Sequence, residues 1–173
     1  MSQSIHCSGA NTASGGEYEE IHCSGSLKIQ GDTACQALQN SGALKLAGSL
    51  VCTEELHSSG ALRVEGAIRT GRARVSGLLN AEKIEIEVSG SNEVGDIGGG
   101  TITVRRISHG LSFGERVLRV KSIEGDTVDL ECTQAEVVRG KNIRIGRNCR
   151  IGRVEYSGDL TVEGGEVGEQ VRI

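Results

Sequence analysis

Residues 24–31 read SGSLKIQG, residues 41–48 read SGALKLAG, and residues 59–66 read SGALRVEG. A fourth copy, SGDLTVEG, occupies 157–164. In the first three copies apolar residues alternate with others: Leu27 and Ile29, Leu44 and Leu46, Leu62 and Val64, with Lys28, Lys45 and Arg63 between them. A period of two marks a short strand with one face turned in and one turned out. The Ser-Gly pair that opens each copy occurs at Ser8-Gly9, Ser24-Gly25, Ser41-Gly42, Ser59-Gly60 and Ser76-Gly77, in steps of 16, 17, 18 and 17 residues. A strand and a turn recurring at that interval describe one edge of a coil with about three edges per winding.

Further columns keep the same step. Thr33, Leu50 and Ile68 fall one unit apart, as do Cys35, Cys52 and Thr70. Toward the C-terminus the spacing of 17 aligns Val128 with Ile145 and Val162, Cys132 with Cys149, and Val137 with Val154 and Val171. One winding cannot bury its apolar edge alone, but stacked windings bury a continuous column. The expected fold is therefore all-β: a right-handed β-helix, or β-solenoid, of about 17 residues per turn, with Leu27, Leu44, Leu62, Ile29, Leu46, Val64, Val128, Ile145 and Val162 in its core ladder. Eight or nine turns at ~4.8 Å give a rod of roughly 40 Å.

Composition agrees. Of 173 residues, 26 are Gly, none is Pro or Trp, one is Phe and two are Tyr. A narrow coil interior takes aliphatic residues, Thr and Cys rather than rings, its corners need glycine, and a backbone ladder needs every N–H. The scarcity of rings argues against an aromatic-centred core and against a single-strand nucleic-acid platform. Nineteen basic against 23 acidic residues, a net of −4, gives no global drive toward nucleic acid or anionic membrane.

The opening MSQSIHCSGANTASGG has no basic n-region or apolar h-region, so no secretory leader is expected. No apolar run approaches a bilayer span, and Ser2 stands where myristoylation needs glycine. The expectation is a cytoplasmic chain, optionally membrane-associated, with its six cysteines reduced.

The repeat is expected to break once. Residues 1–20 form an N-terminal segment and first turn, 21–100 a block of repeats, 101–121 a basic insertion loop, and 122–173 a second block. The insertion holds Arg105, Arg106, Arg116, Arg119 and Lys121 against Glu115, together with Phe113. It could be solvated or could contact an acidic partner, a cell-envelope protein or the membrane surface, with Phe113, Val117, Leu118 and Val120 lending apolar area. A second basic run, Arg139 to Arg153, follows an acidic segment, 122–138. One winding apart, the two should pair across strands and set register rather than bind nucleic acid.

Few constellations carry chemistry. Ile5-His6-Cys7-Ser8-Gly9 recurs as Ile21-His22-Cys23-Ser24-Gly25. Adjacent His and Cys on a strand face opposite ways, so repetition of the fold explains the duplicate better than a metal site. The paired cysteines read as small buried hydrophobes. The strongest enzyme-like signal is Ile145-Gly146 with Ile151-Gly152, which resembles the hexapeptide repeats of left-handed β-helical acyltransferases. His109 would then be the general base, but the six-residue period lasts barely two copies. No cofactor or metal is expected, and the chain is not expected to be an enzyme.

The SGALKLAG and SGALRVEG copies, the stretch SGLLNAEKIEIEVSGSNEVGDIGG and the segment IEGDTVDLECTQAEVVRGKNIRIGRNCRIGRVEYSG resemble the bactofilins, polymer-forming bacterial cytoskeletal proteins. The resemblance covers nearly the whole chain. It implies a right-handed β-helix that assembles end to end, head to head and tail to tail, into non-polar filaments without a nucleotide. The partner is then the chain itself or a paralogue, and the role is a scaffold in cell shape, envelope organisation or motility. Many bactofilins carry a Pro-rich tail and some a short apolar N-terminus; neither pattern is present in this sequence. The residues supply a reason for assembly: open solenoid ends pair with other chains. The expected polymer interface is Ile5 and Cys7 at one end and Val167, Val171 and Ile173 at the other.

Overall fold

A computed structural model describes residues 3–88, 90–106 and 116–173. Every regular element in it is a strand, and all the strands pair in parallel to form a β-solenoid of about 9 turns with roughly 17 residues per turn. The chain starts with β1 (Ser4–Cys7), β2 (Ala10–Cys23) and β3 (Ser26–Asn40). It continues through β4 (Ala43–Ala47), β5 (Leu50–Ser58), β6 (Ala61–Val64) and β7 (Ala67–Thr70). The longest strands follow: β8 (Ala73–Val88), β9 (Ser91–Arg106), β10 (Val117–Leu130) and β11 (Thr133–Ile145). The last are β12 (Arg150–Tyr156), β13 (Leu160–Val162) and β14 (Glu166–Arg172).

Inward positions stack in columns. One runs Cys7, Cys23, Asn40, Ser58, Val75, Val94, Val120, Ala135, Ile151, Val167. A second runs Asn11, Leu27, Leu44, Leu62, Leu79, Ile97, Ile123, Val138, Val154, Gln170. Its eight interior members are at most 2% exposed, so the column is dry between two amide ends. Ile29, Leu46 and Val64 are likewise buried, two residues further along the same strands.

The Ser-Gly corner exists because adjacent windings approach closely there. A Cβ on Gly25, Gly42 or Gly60 would be driven onto the carbonyl oxygen of Gly9, Gly25 or Gly42 respectively. Those oxygens accept from the amides of Ser26, Ala43 and Ala61 at 2.9, 2.8 and 3.0 Å. Gly9, on the first winding, has nothing within 4 Å of its would-be Cβ.

Two corrections concern register. After β9 the winding length varies between 15 and 17, so of the alignments expected at a constant 17 Ile145 with Val162 holds while the others fail. Val128 stacks on Ile143, while Ile145 lies between Leu130 and Val162, so Val128 and Ile145 stand in different columns. Val154 sits between Val138 and Gln170, and Val171 stacks on Glu155. The corner explains the cysteines. Cys132 (φ 50°) and Asn148 (φ 58°) are both left-handed, and Asn148 Nδ2 reaches Cys132 Sγ at 3.7 Å. The turn thus stacks Cys132 with Asn148 rather than with Cys149.

The insertion is also narrower than 101–121. Ser91–Val104 pairs in register with Val117–Leu130, and Ile102, Val104, Val117, Leu118 and Val120 are buried. The apolar area expected of Val117, Leu118 and Val120 for a partner is therefore spent in the core. The two blocks form one stack, and the winding that joins them spans 26 residues from Val94 to Val120. Phe113 and His109 lie outside the described residues.

Candidate assembly ends of the solenoid

The two end windings differ from all the others in what covers them. Among the described strands β1 pairs only with β2, and β14 only with β12. On the first winding Ile5, Ala13 and Tyr18 are packed against the core but only partly buried, and Cys7 is buried. At the other end Leu160 and Val167 are partly buried against the core, and Val162 is 38% exposed. Ile5 stacks on Ile21, Tyr18 on Cys35, Leu160 on Ile143, Val162 on Ile145 and Val167 on Ile151. Each is the last visible member of a column that is dry inside.

The expected end residues divide accordingly. Ile5, Cys7 and Val167 terminate core columns. Val171 does not, because its neighbour Glu155 is an ion-pairing residue. Ile173 donates its amide to the Tyr156 carbonyl at 2.9 Å, and its side chain is 72% exposed. Leu160, Val162 and Tyr18 complete the ends. The SGDLTVEG copy could have flagged Leu160 and Val162 as the stacked pair of the last winding.

The basic residues expected to meet a partner are dispersed. Arg105 pairs with Asp129 at 2.5 Å and Glu131 at 3.6 Å. Arg119 Nη1 donates to Ser91 Oγ at 3.0 Å. Arg106 ends β9, Arg116 precedes β10, and Lys121 is exposed on β10. Arg119 and Lys121 share a shallow groove with Arg74 and Arg150.

The second basic run finds its acids mainly on the following winding, not the preceding acidic segment. Arg139 pairs with Glu155 at 2.6 Å, Arg150 with Glu166 at 3.3 Å and Arg153 with Glu169 at 3.2 Å. Only Arg144 reaches back, to Asp129 at 3.0 Å, while also holding Glu163 at 2.7 Å. The cause is register: Glu155, Glu166 and Glu169 stand directly across from Arg139, Arg150 and Arg153. The Arg139 guanidinium holds the Glu155 carboxyl below the usual carboxylate range.

The thiols lie in the core. All six cysteines are buried and unbridged. Burial pushes the Cys149 thiol up to about 11. The Cys35 thiol is pushed up first by its hydrogen bond with Cys52 and then by burial. The same contact pulls the Cys52 thiol down, whereas thiols held protonated by burial, as Cys149 is, are poor nucleophiles and poor metal ligands. His6 and His22 face outward with ring centroids 6.0 Å apart. Among the described residues no group of three or more His, Cys, Asp or Glu gathers to hold a metal ion, and no helix is long and apolar enough to cross a membrane. Ile145-Gly146 closes β11 and Ile151-Gly152 lies in β12, on successive edges of one winding.

No protein-family model and no solved structure matches the chain. It is similar to two curated proteins of Bacillus subtilis (strain 168). One is the uncharacterized protein YhbF, 47% identical over 81 residues, which are 46% of this chain and 34% of YhbF. The other is the uncharacterized protein YhbE, 37% identical over 100 residues, which are 52% of this chain and 40% of YhbE. The matched stretches thus span 34–40% of the length of these relatives.

Proposed function

We propose that this chain is a structural scaffold that polymerises end to end without a nucleotide, extending its own columns through neighbouring subunits. The observation that carries the reading is the state of the end windings. Ile5 and Tyr18 at one end, and Leu160, Val162 and Val167 at the other, stand half-covered on columns whose inner members are almost fully buried. The outer edges of β1 and β14 also have no strand partner among the described residues. Such edges template pairing with another chain. Covering the end residues removes apolar area from water at about 25 cal/mol per Å².

The bactofilin resemblance favours like ends meeting like, and a role in cell shape, envelope organisation or motility. A reducing cytoplasm fits six unbridged thiols. The test is electron microscopy and light scattering of the purified chain, with and without ATP or GTP. Filaments in both conditions are expected. Val167→Asp, which leaves the interior columns intact, should release folded, shorter species. A single species of 18.2 kDa at all concentrations would overturn the reading.

A further inference from the structure

Over most of its surface this solenoid pairs opposite charges one winding apart: Arg69 with Glu85, Arg139 with Glu155, Arg144 with Glu163, and Arg150 with Glu166. One face departs from that rule. Lys28, Lys45 and Arg63 stack directly on one another, an arrangement that costs stability. The same outward column continues through Asn80, Gly98 and Glu124. Beside it Leu78 stacks on Asp96, and Asp96 on Ser122, while Glu82 and Asp126 stand at the corner. Three windings carrying a basic ladder are therefore followed by three carrying acids. Lys45 pairs with Glu65 at 2.9 Å, and Asp96 accepts from Ser122 Oγ at 2.5 Å. Among the described residues Lys28, Arg63, Glu82, Glu124 and Asp126 make no ion pair, although Arg139 stands across from Glu124 on the next winding, where it pairs with Glu155 instead.

We infer that this face pairs with the same face of a second copy, antiparallel, about a two-fold axis that runs along the strands between the windings of Arg63 and Asn80. Counting three windings to either side, that axis sets Lys28 against Glu124, Gln30 against Asp126, and Ala61 against Leu78. Lys45 falls over Gly98 and beside Asp96. Leu78 is 49% exposed on an otherwise polar face, and this pairing covers it with alanine. An open groove of about 1170 Å³ runs from Arg63 across the acidic windings to Arg139 and Lys141, floored by Gly98, Gly99 and Gly125. Its glycines leave room for the Lys45 side chain of the other copy. One contact is adverse, Glu65 against Glu82, and it is softened by Lys45 on Glu65 and by Arg63 beside them. The arrangement is isologous, so every contact occurs twice and the pair closes.

Six windings of five-residue strand cover on the order of 900 Å² in total, below the ~1,200 Å² of a stable complex. A lone pair is thus weak, and the contact gains strength when rods present it repeatedly. It joins rods side by side and is independent of the end-to-end reading.

The test is a full-length chain carrying both Lys28→Cys and Glu124→Cys, oxidised mildly and run on a non-reducing denaturing gel. The two positions lie five windings apart in one chain, so any bond between them joins two chains. A covalent dimer is expected, also in a Val167→Asp background in which end-to-end growth is blocked. A covalent ladder of higher species would mean a parallel stagger and overturn the inference, as would the absence of any cross-link. As a second measurement, Lys28→Glu or Glu124→Lys alone should lower the sedimented, laterally bundled fraction at least fivefold, and the double swap should restore it. No restoration in the swap, or sedimentation of the parent chain with anionic phosphatidylserine vesicles that competes with bundling, would assign the basic ladder to another partner.

Discussion

Gly42→Ala is the perturbation whose cost the structure fixes most closely. Its Cβ would point at the previous winding and onto the carbonyl oxygen of Gly25, the oxygen that receives the Ala43 amide at 2.8 Å. The overlap is with backbone, so no rotamer change relieves it. Opening that hydrogen bond costs about 1–3 kcal/mol. Prising apart the windings that hold Cys23 and Leu44 adds about 1–3 kcal/mol of lost packing. A total near 3 kcal/mol is a large fraction of the ~5–15 kcal/mol of an ordinary domain, and lowers Tm by roughly 6–12 °C at this chain length. The control is Gly9→Ala in the same Ser-Gly motif, whose Cβ meets nothing within 4 Å. Both would be measured by thermal circular dichroism in a background carrying Ile5→Asp and Val167→Asp, which the end-to-end reading makes monomeric. Gly9→Ala should change Tm by less than about 2 °C there. In the parent background it should cut filament formation, because a copy stacked on the first winding would close over Gly9 as the first winding closes over Gly25. If Gly42→Ala melts within about 2 °C of its parent, or Gly9→Ala destabilises the monomer equally, the close-approach argument fails.

Three further outcomes are expected. Asn92 is fully buried, its Oδ1 accepts the Ala73 amide at 2.6 Å and its Nδ2 donates to the Gly90 carbonyl at 3.2 Å; Asn92→Ala strands both partners and should cost about 2–3 kcal/mol in urea unfolding. Asn148, at φ 58°, should lose about 1 kcal/mol as Asn148→Ala and none as Asn148→Gly, read from the same titration. Stability should plateau near neutral pH and fall on both sides, as Tm against pH would record. Lys83 and Arg69 hold the Glu85 carboxyl low, and Arg139 does so for Glu155. Their contribution is present above the ordinary carboxylate value of about 4.3 and is lost as pH falls through the depressed one. The Cys149 thiol is raised from 9.0 to about 11, so its contribution is full below 9.0 and is lost as pH rises toward about 11.

The first half of the solenoid is legible from sequence because each winding there opens on Ser-Gly and places its aliphatics at fixed offsets. Leu27, Leu44 and Leu62 align by inspection, and the backbone confirms them as partners. Beyond β9 the same reasoning slips because the winding length itself changes. Val128 to Ile143 is a step of 15, Ile145 to Val162 one of 17, and Ile151 to Val167 one of 16. Since side chains alternate, an error of one residue moves a valine from core to surface, as happened with Val171. Asn40 and Asn92 were invisible as core residues because polarity argues for the outside. Only their amide bonds to neighbouring windings explain their burial. The charge segregation between Lys28–Arg63 and Glu82–Asp126 was also hidden. Its two halves lie on one face only after the 26-residue winding is folded out of the count.

The measurement that bears most directly on end-to-end growth is the power spectrum of negatively stained or frozen filaments of the purified chain. Ten rungs per subunit in the Cys7-to-Val167 column should give a continuous meridional spacing near 4.8 Å and a subunit length of roughly 48 Å, so that like ends meeting like repeat every two subunits, roughly 96 Å, along the filament axis. Filaments whose 4.8 Å spacing lies across the axis, or subunits joined only through their sides, would contradict it.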